Sequence, residues 1–285
     1  MATILDGKAT AATIRAEIKN EISEFFKRYR VSPGLAVVLV GEDPASAVYV
    51  RNKHRACTEV GMYSEVHVLP ADTSEEKLLS LIEQLNQDKH IHGILVQLPL
   101  PKHISEKRVL HAIVPTKDVD AFHPWNVGQL FLGEPTFLPC TPAGIMTLLH
   151  RYGISPDGKR CVVVGRSNIV GKPMAMLLLA ENGTVSICHS HTQNLAAYTQ
   201  DADILVVAVG KPLFMTGEMI KKGAVVIDVG IHRGSDGKLC GDVDFSSVEP
   251  HAGAITPVPG GVGPMTIAML LRNTLRAAIL QCENN

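Results

Sequence analysis

Apolar residues recur along this chain in two alternating rhythms. From Ala9 to Arg28 they return every fourth position at Ile14, Ile18 and Ile22, the spacing of one helix face. Residues 35–41 (Leu-Ala-Val-Val-Leu-Val-Gly) are apolar without alternation, which predicts a strand covered on both sides. Asp43-Pro44 supplies a cap and a first-turn proline, so a helix runs from there to a stop at Gly61. Val66-His67-Val68-Leu69 predicts a second strand. Thr73-Ser74-Glu75-Glu76 is a capping-box signature ahead of Leu78, Leu79, Ile82 and Leu85. Gly93-Ile94-Leu95-Val96-Gln97 predicts a third strand, ended by Pro99 and Pro101. Strand–helix–strand order implies parallel pairing, with ligand contacts at the C-terminal strand ends.

The rhythm restarts at Thr141. A helix is predicted from Pro142 to Tyr152, followed by a turn at Ser155-Pro156-Asp157-Gly158. Extended pieces follow at 161–164, 184–188, 204–209 and 224–228, separated by helical or loop stretches. This is the pattern of a doubly wound nucleotide-binding domain. The reading is therefore an α/β protein of two domains, with residues 1–140 forming one and 141–264 the other. A last helix from about 265 onward is expected to return to the first domain.

Composition narrows the function. With 285 residues, 46% apolar and 19% charged, the chain can bury a substantial core. Net charge is −1 and no basic stripe interleaves with aromatics, which argues against nucleic acid as a partner. The six cysteines are scattered with no C-x-x-C pair, as expected of thiols in a reducing compartment. The first residues lack the basic and apolar regions of a signal peptide, and no apolar run is long enough to span a bilayer. A soluble cytoplasmic protein is expected. The close histidine pairs, His90/His92 and His189/His191, have no further ligand at metal-binding spacing, so no metal site is expected.

Several short stretches carry candidate chemistry. Gly165-Arg166-Ser167 follows a predicted strand and precedes a predicted helix, and bare backbone at a helix start suits a pyrophosphate. Ser167 stands where a G-x-G-x-x-G would have its middle glycine, and a plain tight turn would look similar. An NAD site usually carries Asp or Glu about 20 residues after the first glycine, to hold the ribose 2′-hydroxyl. Here Cys188-His189-Ser190-His191-Thr192 contains no acid, and Arg166 stands in the glycine turn. An arginine without that carboxylate suits the 2′-phosphate of NADP, while an ordinary solvated arginine remains open.

Tyr49 and Lys53, four apart on one predicted helix, share a face with Cβ atoms about 6 Å apart. Such a pair can stack on a ring and move a proton, provided burial or a neighbour lowers the lysine pKa. Surface snorkelling is the ordinary alternative. Gln97 closes an apolar strand and needs a partner there. Asp120 lies in the loop Lys117-Asp118-Val119-Asp120-Ala121 and reads by itself as a turn carboxylate. Residues 257–264 (Pro-Val-Pro-Gly-Gly-Val-Gly-Pro) form a stiff loop whose bare main chain can lie against a flat ligand.

Taken together, Tyr49-x-x-x-Lys53, Val96-Gln97-Leu98-Pro99, Lys117-Asp118-Val119-Asp120, Gly165-Arg166-Ser167 and the proline/glycine loop resemble one family. It is the bifunctional methylenetetrahydrofolate dehydrogenase/methenyltetrahydrofolate cyclohydrolase family, and the resemblance covers nearly the whole chain. It implies a Rossmann-type doubly wound NADP domain and a smaller α/β catalytic domain with a cleft between them, in a homodimer. It implies NADP-dependent oxidation of 5,10-methylenetetrahydrofolate to the methenyl form, then hydrolysis to 10-formyltetrahydrofolate, in one-carbon metabolism serving purine biosynthesis. By this likeness Lys53 is the catalytic acid/base, Gln97 tunes its pKa, Tyr49 stacks on the aminobenzoyl ring and Asp120 holds the pterin. Val96, Leu98, Pro259, Gly260, Gly261, Val262 and Gly263 would line the folate, and Gly165, Arg166, Ser167, Ser190 and Ile231 would contact NADP.

One position departs from the family, which generally has glycine where this chain has Ala121. A backbone needing positive φ there would strain alanine and disturb Asp120. Two other classes stay open on the residues alone: a shikimate-type NADP dehydrogenase, and a non-catalytic dinucleotide sensor.

Overall fold

The computed structural model describes residues 1–234 and 237–283. In chain order the early elements are β1 (Thr3–Ile4), α1 (Gly7–Tyr29), β2 (Gly34–Val40), α2 (Pro44–Val60) and β3 (Tyr63–Leu69). Next come α3 (Glu75–Gln87), β4 (Gly93–Val96), α4 (Glu106–Ala112), α5 (Pro124–Leu132) and α6 (Cys140–Arg151). The later elements are β5 (Arg160–Val164), α7 (Gly171–Ala180), β6 (Thr184–Cys188), α8 (Leu195–Thr199), β7 (Ile204–Val207) and β8 (Val225–Asp228). They are followed by β9 (His232–Arg233), β10 (Leu239–Cys240), α9 (Phe245–Val248), β11 (Ala254–Ile255) and α10 (Val262–Glu283). The chain divides into two compact units, one of residues 13–140 with 267–285 and one of residues 1–12 with 141–266.

The first unit is built on a three-stranded parallel sheet in the order β3-β2-β4. All seven residues of β2 are buried, which explains its unbroken apolar run. On α1, Ile14, Ile18, Ile22 and Phe25 are buried at helical spacing, and each such side chain contributes about 1.5–3 kcal/mol. Ser74 caps α3 by accepting from the Lys77 N–H, which turns Leu78, Ile82 and Leu85 into a common core with β2 and β4. His92 serves this architecture. Its Nδ1 accepts the Gly34 N–H at 3.0 Å, and burial pushes its pKa down to about 4, so it stays neutral.

The second unit holds a six-stranded sheet in the order β1-β11-β8-β7-β5-β6, every pairing parallel. β5 pairs with β6 on one side and with β7 on the other, so the strand order reverses at β5. That reversal opens a crevice at the carboxyl ends, where such sheets bind ligands. The N-terminal residues form the edge strand β1, which the hydrophobic pattern does not announce because it is two residues long. Val162, Val164, Leu205, Val207, Val226 and Ile255 interlock beneath the sheet in one core.

Candidate active site

Asp43 starts α2 by accepting the Ser46 N–H at 2.7 Å, with Pro44 behind it. The helix ends at Gly61, whose φ of 86° suits glycine. Between these stops the inward face is Ser46, Val50, Lys53, Cys57 and Val60, all buried. Lys53 therefore occupies a core position of an amphipathic helix, with 9% exposure, instead of snorkelling to water. Tyr49, one turn earlier, is half-buried, and burial raises the pKa of its phenol.

The Lys53 ammonium donates to Gln97 Oε1 at 2.9 Å. Gln97 is held in turn: its N–H donates to Val38 O at 2.8 Å and its Nε2 to Leu98 O at 2.7 Å. Val96 is buried as the last residue of β4, and Leu98 is half-buried. Burial pushes the Lys53 pKa below the ordinary lysine value, while Asp120, Cys140 and Cys57 pull the other way. Burial pushes the Cys57 thiol up to about 12 and the Cys140 thiol well above its usual value, so both remain protonated at neutral pH. Neither is a nucleophile in this state.

The loop bearing Asp120 is fixed on every side. Lys117 Nζ donates to Leu85 O at 3.0 Å and Asp88 O at 2.7 Å, capping the end of α3. Asp118, 2% exposed, accepts from Asn126 Nδ2 at 2.8 Å and the His123 N–H at 2.7 Å. Val119 O takes the Asn273 Nδ2 at 2.8 Å and the Cys140 thiol at 3.3 Å. Ala121 has φ of 59°, the left-handed conformation that glycine would accept without strain, and is buried. Three of the four Lys-Asp-Val-Asp residues thus hold the loop, and the charge of Asp120 favours the protonated form of Lys53.

Sequence reasoning missed Cys57, Cys140 and Asn273. Cys57 carried a signal, since it lies four residues beyond Lys53 on the same face. Asn273 sits in an apolar helix and its partners, Val119 O and Leu138 O, are far away in sequence.

The other unit carries the dinucleotide features. Gly165 has φ of 140°, and its Cα lies so close to Ala208 O that a Cβ would collide. A Cβ on Gly171 would likewise strike Gly165 O. Ser167 Oγ accepts the N–H groups of Val170 at 3.2 Å and Gly171 at 3.3 Å, holding the first turn of α7 while its own O–H can still donate. Arg166, Ser190 and Ile231 lie at the carboxyl side of the sheet, all three exposed. A bare, tightly turned backbone with a nearby guanidinium and no carboxylate fits the diphosphate and 2′-phosphate of NADP.

In the same unit the proline/glycine loop is braced from beneath. Lys8 N–H donates to Gly260 O at 2.8 Å, and Gly7 leaves no room for a Cβ against Gly261 O. Gly260 has φ of 109°. Pro259, Gly260 and Gly263 keep accessible surface, whereas Gly261 and Val262 are packed inward.

Known proteins are similar to this chain over both units. Residues 5–120 match the catalytic domain of tetrahydrofolate dehydrogenase/cyclohydrolase, and residues 139–282 match the NAD(P)-binding domain of the same family. The bifunctional protein FolD of Moorella thermoacetica is 66% identical over 277 residues, covering 97% of this chain and 99% of that one. A crystal structure of the bifunctional FolD enzyme from Campylobacter jejuni superposes with a TM-score of 0.96 at 50% identity, covering 99% of this chain and 100% of that one. The Trypanosoma brucei dehydrogenase-cyclohydrolase, solved with NADP and an inhibitor, gives a TM-score of 0.95 at 41% identity, covering 98% of each chain.

Fold and site define a two-unit, dinucleotide-binding α/β enzyme. The chain belongs to the tetrahydrofolate dehydrogenase/cyclohydrolase family. It is a bifunctional methylenetetrahydrofolate dehydrogenase and methenyltetrahydrofolate cyclohydrolase with NADP as cofactor.

Proposed function

We propose that Lys53 is the acid/base of this bifunctional enzyme and that its burial against a neutral amide is what makes it one. Hydration of the methenyl cation requires the attacking water to lose a proton and the departing ring nitrogen to gain one. A lysine at its ordinary pKa would hold its proton at neutral pH, and burial at 9% exposure lowers that barrier. Gln97 fixes the direction of the ammonium without adding a countercharge. Tyr49 supplies a protonated aromatic wall one helical turn away, and Asp120 a carboxylate for the pterin. Val96 and Leu98 flank Gln97 at the end of β4.

On the cofactor side, Gly165, Arg166, Ser167, Ser190 and Ile231 are assigned to NADP, and Pro259 to Gly263 to the folate. NADP, when bound, takes up the hydride that leaves the methylene bridge. The protein's part in that step is alignment and exclusion of water, for which a braced loop and a tight glycine turn are suited. Residues 1–140 with the helix from 265 are taken as the folate-binding part and 141–264 as the NADP part, except that residues 1–12 pack with the latter, where Thr3–Ile4 forms an edge strand. The same reading has the protein act as a cytoplasmic homodimer on tetrahydrofolate one-carbon derivatives, feeding purine biosynthesis and binding neither nucleic acid nor membranes. Its net charge of −1 supports the exclusion of nucleic acid, and no described helix is long and apolar enough to cross a membrane.

The contact of buried Lys53 with half-buried Gln97 carries the catalytic reading. Purified protein mixed with methylenetetrahydrofolate and NADP⁺ should yield NADPH and then 10-formyltetrahydrofolate. NADPH formation that persists in a Gln97→Leu variant together with unaltered formyl production would remove Gln97 from the assignment.

A further inference from the structure

Two buried carboxylates lie outside the residues assigned above. Asp242, fully buried, accepts the N–H groups of Val209 at 2.7 Å, Gly210 at 3.0 Å and Lys211 at 2.9 Å, and meets His232 Nε2 at 2.7 Å. Asp228, 3% exposed, accepts the N–H groups of Gly230 at 2.9 Å, Asp242 at 2.9 Å and Val243 at 3.0 Å. The carboxylates approach the main chain so closely that a Cβ on Gly230 would strike Asp242 and one on Gly241 would strike Asp228. Burial raises the Asp228 pKa to about 6 against the lowering effect of its three amide donors.

The backbone held this way is not remote from the cofactor assignment. Val209–Lys211 follows β7, and Gly230–Ile231 follows β8, both at carboxyl ends of the sheet. The order β8-β7-β5-β6 places the glycine turn after β5, with Ser190 after β6 on one side. A dinucleotide whose diphosphate sits at β5 and whose 2′-phosphate lies toward β6 must send its other end toward β7 and β8. That end is the nicotinamide.

We infer that Asp242 is a positioning residue for the nicotinamide end of NADP: it clamps the loop after β7 directly, and the loop after β8 through His232 and through the hydrogen bond that its own N–H donates to Asp228. This rests on the NADP reading of the glycine turn. Asp242 touches no reacting atom. It fixes the loops against which the reacting ring would lie, and misplacement by about 1 Å can cost on the order of 100-fold in rate.

The test is Asp242→Asn, whose amide group turns a donor toward N–H donors. Dehydrogenase kcat should fall about 10- to 100-fold, with KM for NADP⁺ changed less than about threefold because the phosphate contacts remain. Cyclohydrolase activity, which needs no nicotinamide, should stay within about twofold and also reports folding. In the cofactor-free protein, hydrogen–deuterium exchange at the amides of Val209, Gly210 and Lys211 should speed selectively. His232→Ala, at a side chain 22% exposed, leaves the amide contacts in place and should show the same split with a smaller loss. Unchanged dehydrogenase kcat, a parallel fall in both activities, or unaltered exchange at residues 209–211 would each overturn the inference. Arg166→Ala separates the underlying reading: if it leaves KM for NADP⁺ unaltered, the cofactor assignment fails, whereas if it raises KM while Asp242→Asn is neutral, only the positioning role fails.

Discussion

Lys53 Nζ donates to Gln97 Oε1 at 2.9 Å, joining the buried face of α2 to the residue just past the end of β4. The side-chain amide donates through Nε2 to Leu98 O while the Gln97 backbone N–H donates to Val38 O, so the amide cannot swing away from the ammonium without breaking the Leu98 bond. The contact matters because the partner is neutral. A carboxylate there would favour the charged lysine and lock its proton in place.

Gln97→Glu tests that point. The new charge should raise the Lys53 pKa and move the cyclohydrolase pH profile to higher pH by about one to three pH units. Rates of methenyltetrahydrofolate hydrolysis across pH would show it. A profile that stays in place would mean that Lys53 does not set it.

The lowered Lys53 pKa also has a sign in stability. An unfolded lysine keeps its proton to about 10.5, whereas the folded one releases it at lower pH. Between those two values the unfolded chain binds more protons, so this group's contribution to stability rises with pH; below the folded value its full penalty is present. Lys53→Met should therefore be more stable than the parent at neutral pH, with the gap narrowing as pH climbs toward 10.5. Denaturant titrations of both proteins at several pH values measure it. A gap that widens with pH would contradict the desolvated lysine.

Much of this site was legible in the order of residues alone. Asp43-Pro44 and Gly61 bracket α2 because caps are local chemistry, and the four-residue spacing put Tyr49 and Lys53 on one face. What spacing could not say was which face. Lys53 belongs to the stripe of Val50, Cys57 and Val60, and that is a matter of tertiary packing. Gln97 was recognisable as an amide needing a partner, but the partner lies 44 residues away. The clamp of Asp228 and Asp242 left no mark in the sequence, since the N–H donors that meet them lie as far as 15 and 33 residues away.

Ala121 gives a third prediction. The structure does place it at φ of 59°, so the conformation that favours glycine is real. Left-handed alanine costs about 1–2 kcal/mol, and the gain from glycine is partly offset by its greater unfolded-state entropy. Ala121→Gly should leave stability within about 1 kcal/mol and folate KM unchanged. Ala121→Val, β-branched in the same conformation, should lose more than about 2 kcal/mol and raise folate KM as Asp120 shifts. Thermal melts and folate kinetics of the pair distinguish them. Equal behaviour of the two variants would show that the backbone at this position does not govern Asp120.

Arg166 gives a fourth. If its guanidinium holds the 2′-phosphate, Arg166→Ala should raise KM for NADP⁺ about 10- to 100-fold, the range of one or two charge-assisted hydrogen bonds, while hardly changing that for NAD⁺. Equal losses for both cofactors would place the arginine elsewhere on the dinucleotide.

The most direct measurement is hydrolysis of methenyltetrahydrofolate by Lys53→Met, followed at neutral pH beside the parent protein. Turnover should fall by about 100- to 10,000-fold, the usual weight of a general acid/base, with NADP⁺ affinity near normal. A Lys53→Met enzyme that still opened the methenyl ring at the parental rate would contradict that role outright.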